Sequence, residues 1–184
     1  MDEELIGGDI LKRIESSSSA LIVTHGGNIP DVIASIVGYF TKKDYSGVYL
    51  SLNKPHRTVE SLLKRKGVSI DKLYYIDCIT ASIHSVDKDD KYVVYLDHPD
   101  DLSQKKKIMD AVDEFALSVP DNKFFVVDAL RTILLYHEPD IVSEIIRDLI
   151  QDLKDINVKL VVLTRSDDDN DVIDTISHHF DIVL

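Results

Sequence analysis

The sequence predicts an α/β fold of three layers, a mainly parallel sheet with helices on both faces, and three observations carry that reading. Short apolar runs alternate with amphipathic stretches from one end of the chain to the other, which is the rhythm of repeated strand–helix units. Phe124-Phe125-Val126-Val127 is apolar without interruption, as a strand must be when helices cover both faces of its sheet. Breakers fall between the runs, at Ser16–Ser19, Gly67 and Pro99. At 184 residues the chain is expected to form one domain, residues 1–184, around a single core.

Each element follows from spacing. Residues 8–16 place Ile10, Leu11 and Ile14 at helical intervals, and the serine run ends that helix. Ala20–Thr24 reads as a buried strand leading into a helix over 30–41, with Val32, Ile33, Ile36, Val37 and Phe40 on its apolar face. Further strands are expected at 47–51, 73–77, 92–97, 124–128, 159–164 and 181–184. A helix from Thr58 through Lys66 stops at Gly67, a suitable C-cap. Asp100 or Asp101 can cap the helix carrying Leu102, Ile108, Met109, Val112, Phe115 and Ala116. Helical stretches follow at 130–135 and 141–153, with a short one after the polar loop 166–171. Thr80–Asp90 and Asp167–Asp169 read as surface loops.

Composition narrows the function classes. Hydrophobic content of 44% with 29% charged residues is ordinary for a soluble domain. No apolar run reaches the ~18–20 residues that span a bilayer, and the acidic start Met1-Asp2-Glu3-Glu4 is unlike a secretory signal. No membrane partner is expected. A net charge of −12 opposes general nucleic-acid binding, which needs a basic footprint. The basic clusters Lys64-Arg65-Lys66 and Lys105-Lys106-Lys107 suit solvated helix faces. Cys78 is the one cysteine, leaving no internal disulfide and no cysteine zinc site, so a buried structural thiol in a reducing cytoplasm is expected.

The segment 20–41 has the frame of a phosphate-binding loop: strand, glycine turn, helix. The turn is His25-Gly26-Gly27-Asn28-Ile29-Pro30-Asp31. Counted without gaps against G-x-x-x-x-G-K-[ST], Thr24 stands at the first glycine, Ile29 at the second, Pro30 at the lysine and Asp31 at the hydroxyl residue. Pro30 suits a first helical turn but removes an amide that a phosphate uses. Asp31 gains roughly 0.3–1 kcal/mol from the helix dipole, and it repels a triphosphate at the same spot. In open α/β sheets the crevice lies beyond the carboxyl ends of the strands. Thr24 to Asn28, Ser51 to Lys54, Asp77, Asp97, His98, Asp128 and Thr164 to Ser166 are placed there.

Read in order, these strand ends resemble the RecA-like core of the KaiC and RadA group of ATPases, particularly its short archaeal relatives. Residues 20–41 stand in the P-loop position. Gly47-Val48-Tyr49-Leu50-Ser51-Leu52-Asn53-Lys54-Pro55 resembles the second strand and catalytic-glutamate turn. Tyr75-Ile76-Asp77-Cys78 and Asp97-His98-Pro99-Asp100-Asp101-Leu102 resemble the middle segment. Phe125-Val126-Val127-Asp128-Ala129-Leu130 resembles the Walker B strand, and Val161–Arg165 with Phe180–Val183 the last two strands. The resemblance implies a P-loop NTPase core with a degenerate loop. Its paired glutamates fall on Asn53 and Lys54, and neither an amide nor an exposed, protonated lysine is a general base. Asp128 alone survives, at the magnesium position. A non-hydrolysing pseudo-ATPase is therefore expected, with no catalytic residue and no cofactor. Vestigial nucleotide positions are Gly26, Gly27, Asn28 and Asp128. A protein partner or self-association is the expected role.

The rival reading is a small-ligand or metal-dependent enzyme in the same crevice, with His25, Asp97, His98 and Asp128 as its residues. Two histidines and two aspartates are suitable metal ligands, though their spacing matches no metal motif. His178-His179 reads as surface or capping histidines, since adjacent residues on a helix face different ways. The serines at 16–19 lack the elbow of a catalytic serine.

Overall fold

The computed structural model describes residues 7–25, 29–83, 91–96, 105–120, 122–128, 130–166 and 170–184. In chain order its elements are α1 (Gly8–Ser16), β1 (Ser19–Thr24), α2 (Ile29–Lys42), β2 (Ser46–Ser51), α3 (His56–Arg65), β3 (Leu73–Asp77), α4 (Thr80–Ile83) and β4 (Val93–Tyr95). Then come α5 (Lys105–Ser118), β5 (Lys123–Val127), α6 (Leu130–Leu134), α7 (Pro139–Asp155), β6 (Val158–Arg165), α8 (Asn170–Ser177) and β7 (Ile182–Val183). The strands form one 7-stranded sheet in the order β4-β3-β2-β5-β6-β1-β7, and every pair in it is parallel. The three-layer α/β expectation is met.

Alternation along the strands sorts two cores. Ala20, Ile22, Tyr49, Tyr75, Phe124, Val126, Val161 and Leu163 face α1, α2 and α3. Leu21, Val48, Leu50, Ile76, Phe125, Val127, Leu160 and Val162 face α5, α6, α7 and α8. Strands buried on both faces explain the continuous apolar runs. Cys78 is fully buried in the second core, as the structural-thiol reading required. No helix among the described residues is long and apolar enough to cross a membrane.

Two boundaries moved for physical reasons. α3 begins at His56 rather than Thr58, because the Asp77 carboxylate accepts the His56 N–H at 2.7 Å from another strand. Its end follows the sequence: Gly67 takes φ +73°, with Val68 N–H donating to Leu63 O and Gly67 N–H to Lys64 O, the paired bonds of a Schellman cap. β4 spans 93–95 rather than 92–97, although Leu96 N–H still donates to Asp77 O. Residues 97–104, including Leu102 and the proposed cap residues Asp100 and Asp101, lie outside the described residues.

The serine run does more than end α1. The Asp181 carboxylate accepts the backbone N–H groups of Ser18 and Ser19 at 2.8 and 3.1 Å, and Ser19 Oγ accepts Asp181 N–H at 3.0 Å. The last strand is thereby pinned to the start of β1. α1 is held by Glu15, which accepts from Lys43 at 2.5 Å and Tyr39 at 2.7 Å. Those donors, Lys43 first, hold its carboxyl below the usual range.

Gly47 in β2 is required by close approach. A Cβ there collides with the Phe124 ring, and Phe124 stacks on Phe40 with centroids 4.9 Å apart. Gly47→Ala is therefore expected to destabilise the protein by about 1–3 kcal/mol through overpacking. Chemical denaturation checks this: a lowered midpoint with an unchanged m-value is the expected result.

Candidate functional site

Because all strands run one way, every carboxyl end arrives at the same edge of the sheet. β2 leads into α3 on one face and its neighbour β5 leads into α6 and α7 on the other. Helices departing to opposite faces leave a crevice between those two strand ends. Tyr49, Lys54 and Asp128 meet there. Tyr49 hydroxyl donates to Asp128 Oδ2 at 2.5 Å, and Lys54 Nζ lies 3.9 Å from the same oxygen. The turn that aims Lys54 is closed by Ser51 Oγ donating to Lys54 O at 2.5 Å, and Lys54 Nζ also donates to Asn53 Oδ1 at 3.1 Å.

Asp128 is 4% exposed. Burial pushes its carboxyl up from the ordinary value, and the Tyr49 bond and Lys54 charge only partly oppose that. Burial, then the Asp128 charge, pushes the Tyr49 phenol well up, so Tyr49 stays a neutral donor. Among the described residues, Asp128 Oδ1 is buried with no hydrogen-bond partner, and so is the Tyr75 hydroxyl. Tyr75 lies between Tyr49, at a ring distance of 6.2 Å, and His56, at 5.8 Å.

A second buried carboxylate closes the neighbouring strand end. Asp77 is 0% exposed. Its Oδ2 accepts from His56 N–H at 2.7 Å, His56 Nδ1 at 2.8 Å and Thr80 Oγ1 at 2.6 Å. Its Oδ1 accepts from the N–H groups of Ile79 and Thr80, both at 2.8 Å. Burial pushes this carboxyl up, yet the donors of His56, Thr80 and Ile79 together outweigh it and hold it below the ordinary value. One side chain thus caps the first turns of both α3 and α4. Sequence reading placed Asp77 at the edge but missed His56, whose partner lies 21 residues away. The legible signal was a strand ending in aspartate, Leu73–Asp77, followed by Thr80.

The remaining candidates separate. His25 is exposed at the end of β1, and its Nδ1 meets Ser166 Oγ at 2.8 Å. β6 stands between β1 and β5, so His25 and Asp128 are two strand spacings apart, roughly 9–10 Å. Their side chains are engaged with different partners, His25 with Ser166 and Asp128 with Tyr49. Gly26, Gly27, Asn28, Asp97 and His98 lie outside the described residues. Among the described residues no three metal-ligating side chains come together.

Three side-chain environments are more specific than spacing suggested. Lys54 is partly exposed, with 37% of its side chain accessible, and it reaches over Asp128. Asp31 is not a bare charge at the start of α2, because it forms an ion pair with Lys66 at the end of α3. The rings of His178 and His179 do not diverge. Their centroids are 3.9 Å apart, and His179 Nε2 meets Ser143 Oγ at 2.9 Å. Burial, then the neighbouring His178 and Arg147, lowers the His179 pKa.

No protein-family model matches this sequence, and no curated protein matches it significantly. Solved structures match its fold. One is a KaiC-like protein from the hyperthermophilic archaeon Pyrococcus horikoshii, with TM-score 0.53 and 14% identity over 80% of this chain. The match spans 61% of that protein, so this chain spans about three-fifths of its length. Another is an uncharacterized protein of the same organism in complex with an unknown peptide, with TM-score 0.61, 15% identity, and coverage of 95% of this chain and 81% of that one. The fold is therefore a three-layer α/β fold similar to that of the KaiC-like protein.

The two buried carboxylates give opposite pH signatures. Asp77 has a lowered folded-state pKa, so its stabilisation is full above the unfolded value of about 3.9 and is lost as pH falls through the folded value. Asp77→Asn is expected to cost about 3 kcal/mol at neutral pH, measured as a drop in unfolding free energy. Asp128 has a raised folded-state pKa, so its contribution is favourable below the unfolded value and is lost as pH rises through the folded one. Asp128→Asn keeps an acceptor for Tyr49 and removes the buried charge. The variant is expected to melt higher than the parent at pH 7, with the gap closing on acidification. A lower melting point at pH 7 contradicts this assignment.

Proposed function

We propose that this chain is a non-hydrolysing RecA/KaiC-like protein, a cytoplasmic pseudo-ATPase. It works as a binding or regulatory module, through self-association or by packing against an active ATPase of related fold. The observation that carries this reading is the Lys54–Asp128 contact, with Tyr49 bonded to the same oxygen. Magnesium sites at phosphates combine carboxylates with substrate oxygens. In this crevice an ammonium and a phenol already occupy the carboxylate oxygen that faces them. At the start of α2, Ile29, Pro30 and Asp31 supply neither the ammonium nor the hydroxyl of a phosphate-binding loop. Phosphoryl transfer needs positioning, metal and a water-orienting group together. Asn53 has no useful basicity, and Lys54 is turned onto Asp128.

A protein-binding role is supported by a neighbour of the same fold, the Pyrococcus protein with a bound peptide. The experiment is calorimetric titration of the full chain with ATP, with and without magnesium. No saturable binding is expected up to on the order of 1 mM nucleotide. Affinity in the micromolar range, about −8 kcal/mol, overturns the proposal.

A further inference from the structure

The surface at the junction of α6 and α7 is unusually apolar for a chain of this charge. Leu135 is 71% exposed, Ile141 46% and Tyr136 43%. Ile141 and Ile145 are one helical turn apart on the same face of α7. Ile145 in turn lines an apolar cleft between α7 and α5, with Leu50, Ile108, Ile133, Ile146 and Leu149. The exposed residues thus border the edge of a small apolar cleft.

The charges around it are one-sided. Glu138, Asp140 and Glu144 are all exposed, and none forms an ion pair among the described residues. The two nearby arginines are committed: Arg147 bonds Asp148 at 3.1 Å, and Arg131 is engaged in a contact within the chain. An acidic rim around an apolar centre recognises apolar side chains flanked by lysine or arginine. A second copy docking through the same patch brings rim against rim, since a two-fold contact is self-complementary, between chains that each carry −12.

We propose that Leu135, Tyr136, Ile141 and Ile145, rimmed by Glu138, Asp140 and Glu144, form a docking site for a basic amphipathic segment of a protein partner. This rests on the binding-module reading and names the partner's chemistry. The test uses the full chain as bait for a random peptide library, followed by anisotropy titration of an enriched peptide. Enriched peptides are expected to pair Leu, Ile or Phe with Lys or Arg. Leu135→Ser/Ile141→Ser is expected to weaken the peptide roughly tenfold or more, as for a central anchor. Both substitutions are at exposed positions, and an unchanged melting curve confirms the fold. Glu138→Lys/Asp140→Lys/Glu144→Lys is expected to weaken binding and flatten its salt dependence.

Absence of enrichment, acidic peptides, or an enriched peptide indifferent to both variants overturns the proposal. A dimer in sedimentation that Leu135→Ser dissociates also overturns it, by making a second copy the occupant. Failure here with ATP still unbound leaves the inert nucleotide crevice standing. Micromolar ATP binding removes that reading whatever the peptides do.

Discussion

The carboxylate of Asp77 is the point on which the carboxyl edge of the sheet depends. Five donors converge on it, from α3, α4 and the His56 ring. Without it, first-turn amides of two helices are left buried and unpaired, each costing about 1–3 kcal/mol. α3 is also the roof over Tyr75 and Tyr49. The seating of α3 therefore sets the burial of Tyr49, and Tyr49 in turn holds Asp128. A structural cap and the candidate site are successive links of one chain of contacts.

Buried carboxylates along this edge are answered from within the chain, but unequally. Asp77 has every lone pair engaged and gains from burial in company. Asp31 has Lys66. Asp128 has Tyr49 and a more distant Lys54, while its second oxygen has no hydrogen-bond partner among the described residues. An unanswered buried oxygen is costly. A fold that keeps one at a strand end, in a crevice, retains a feature its own stability does not require. The cost sits at the carboxyl ends of the strands, where open α/β sheets generally bind ligands.

Most of the fold was legible because burial on both faces of a parallel sheet leaves a strong signature. Phe124–Val127 and Val161–Leu163 carry no polar interruption, and Gly67 marks a cap through the backbone geometry only glycine adopts easily. Three of the misses share one cause. His56 starting α3, Lys66 answering Asp31 and Lys54 folding onto Asp128 are contacts between segments 21 to 74 residues apart. Spacing within a segment carries no trace of them. The adjacent histidines at 178–179 failed differently: helical divergence was assumed, whereas both follow the end of α8, where that rule no longer applies.

Net charge alone would not keep nucleotide out of the crevice. At physiological ionic strength the screening length is about 8 Å, so a few well-placed cations can outweigh a distant negative surface. Lys54 and Lys66 are the lysines that the fold brings to the second strand end and to the first turn of α2, and each is already paired with a carboxylate. A triphosphate has to break those pairs and then face the released Asp128 and Asp31. Long-range and short-range electrostatics therefore act in the same direction at the crevice. On α7 they diverge in effect: in the proposed docking, exposed carboxylates attract a basic partner, and the same net charge steers it there. Under the proposed reading, one charge distribution repels phosphate ligands and favours basic protein surfaces.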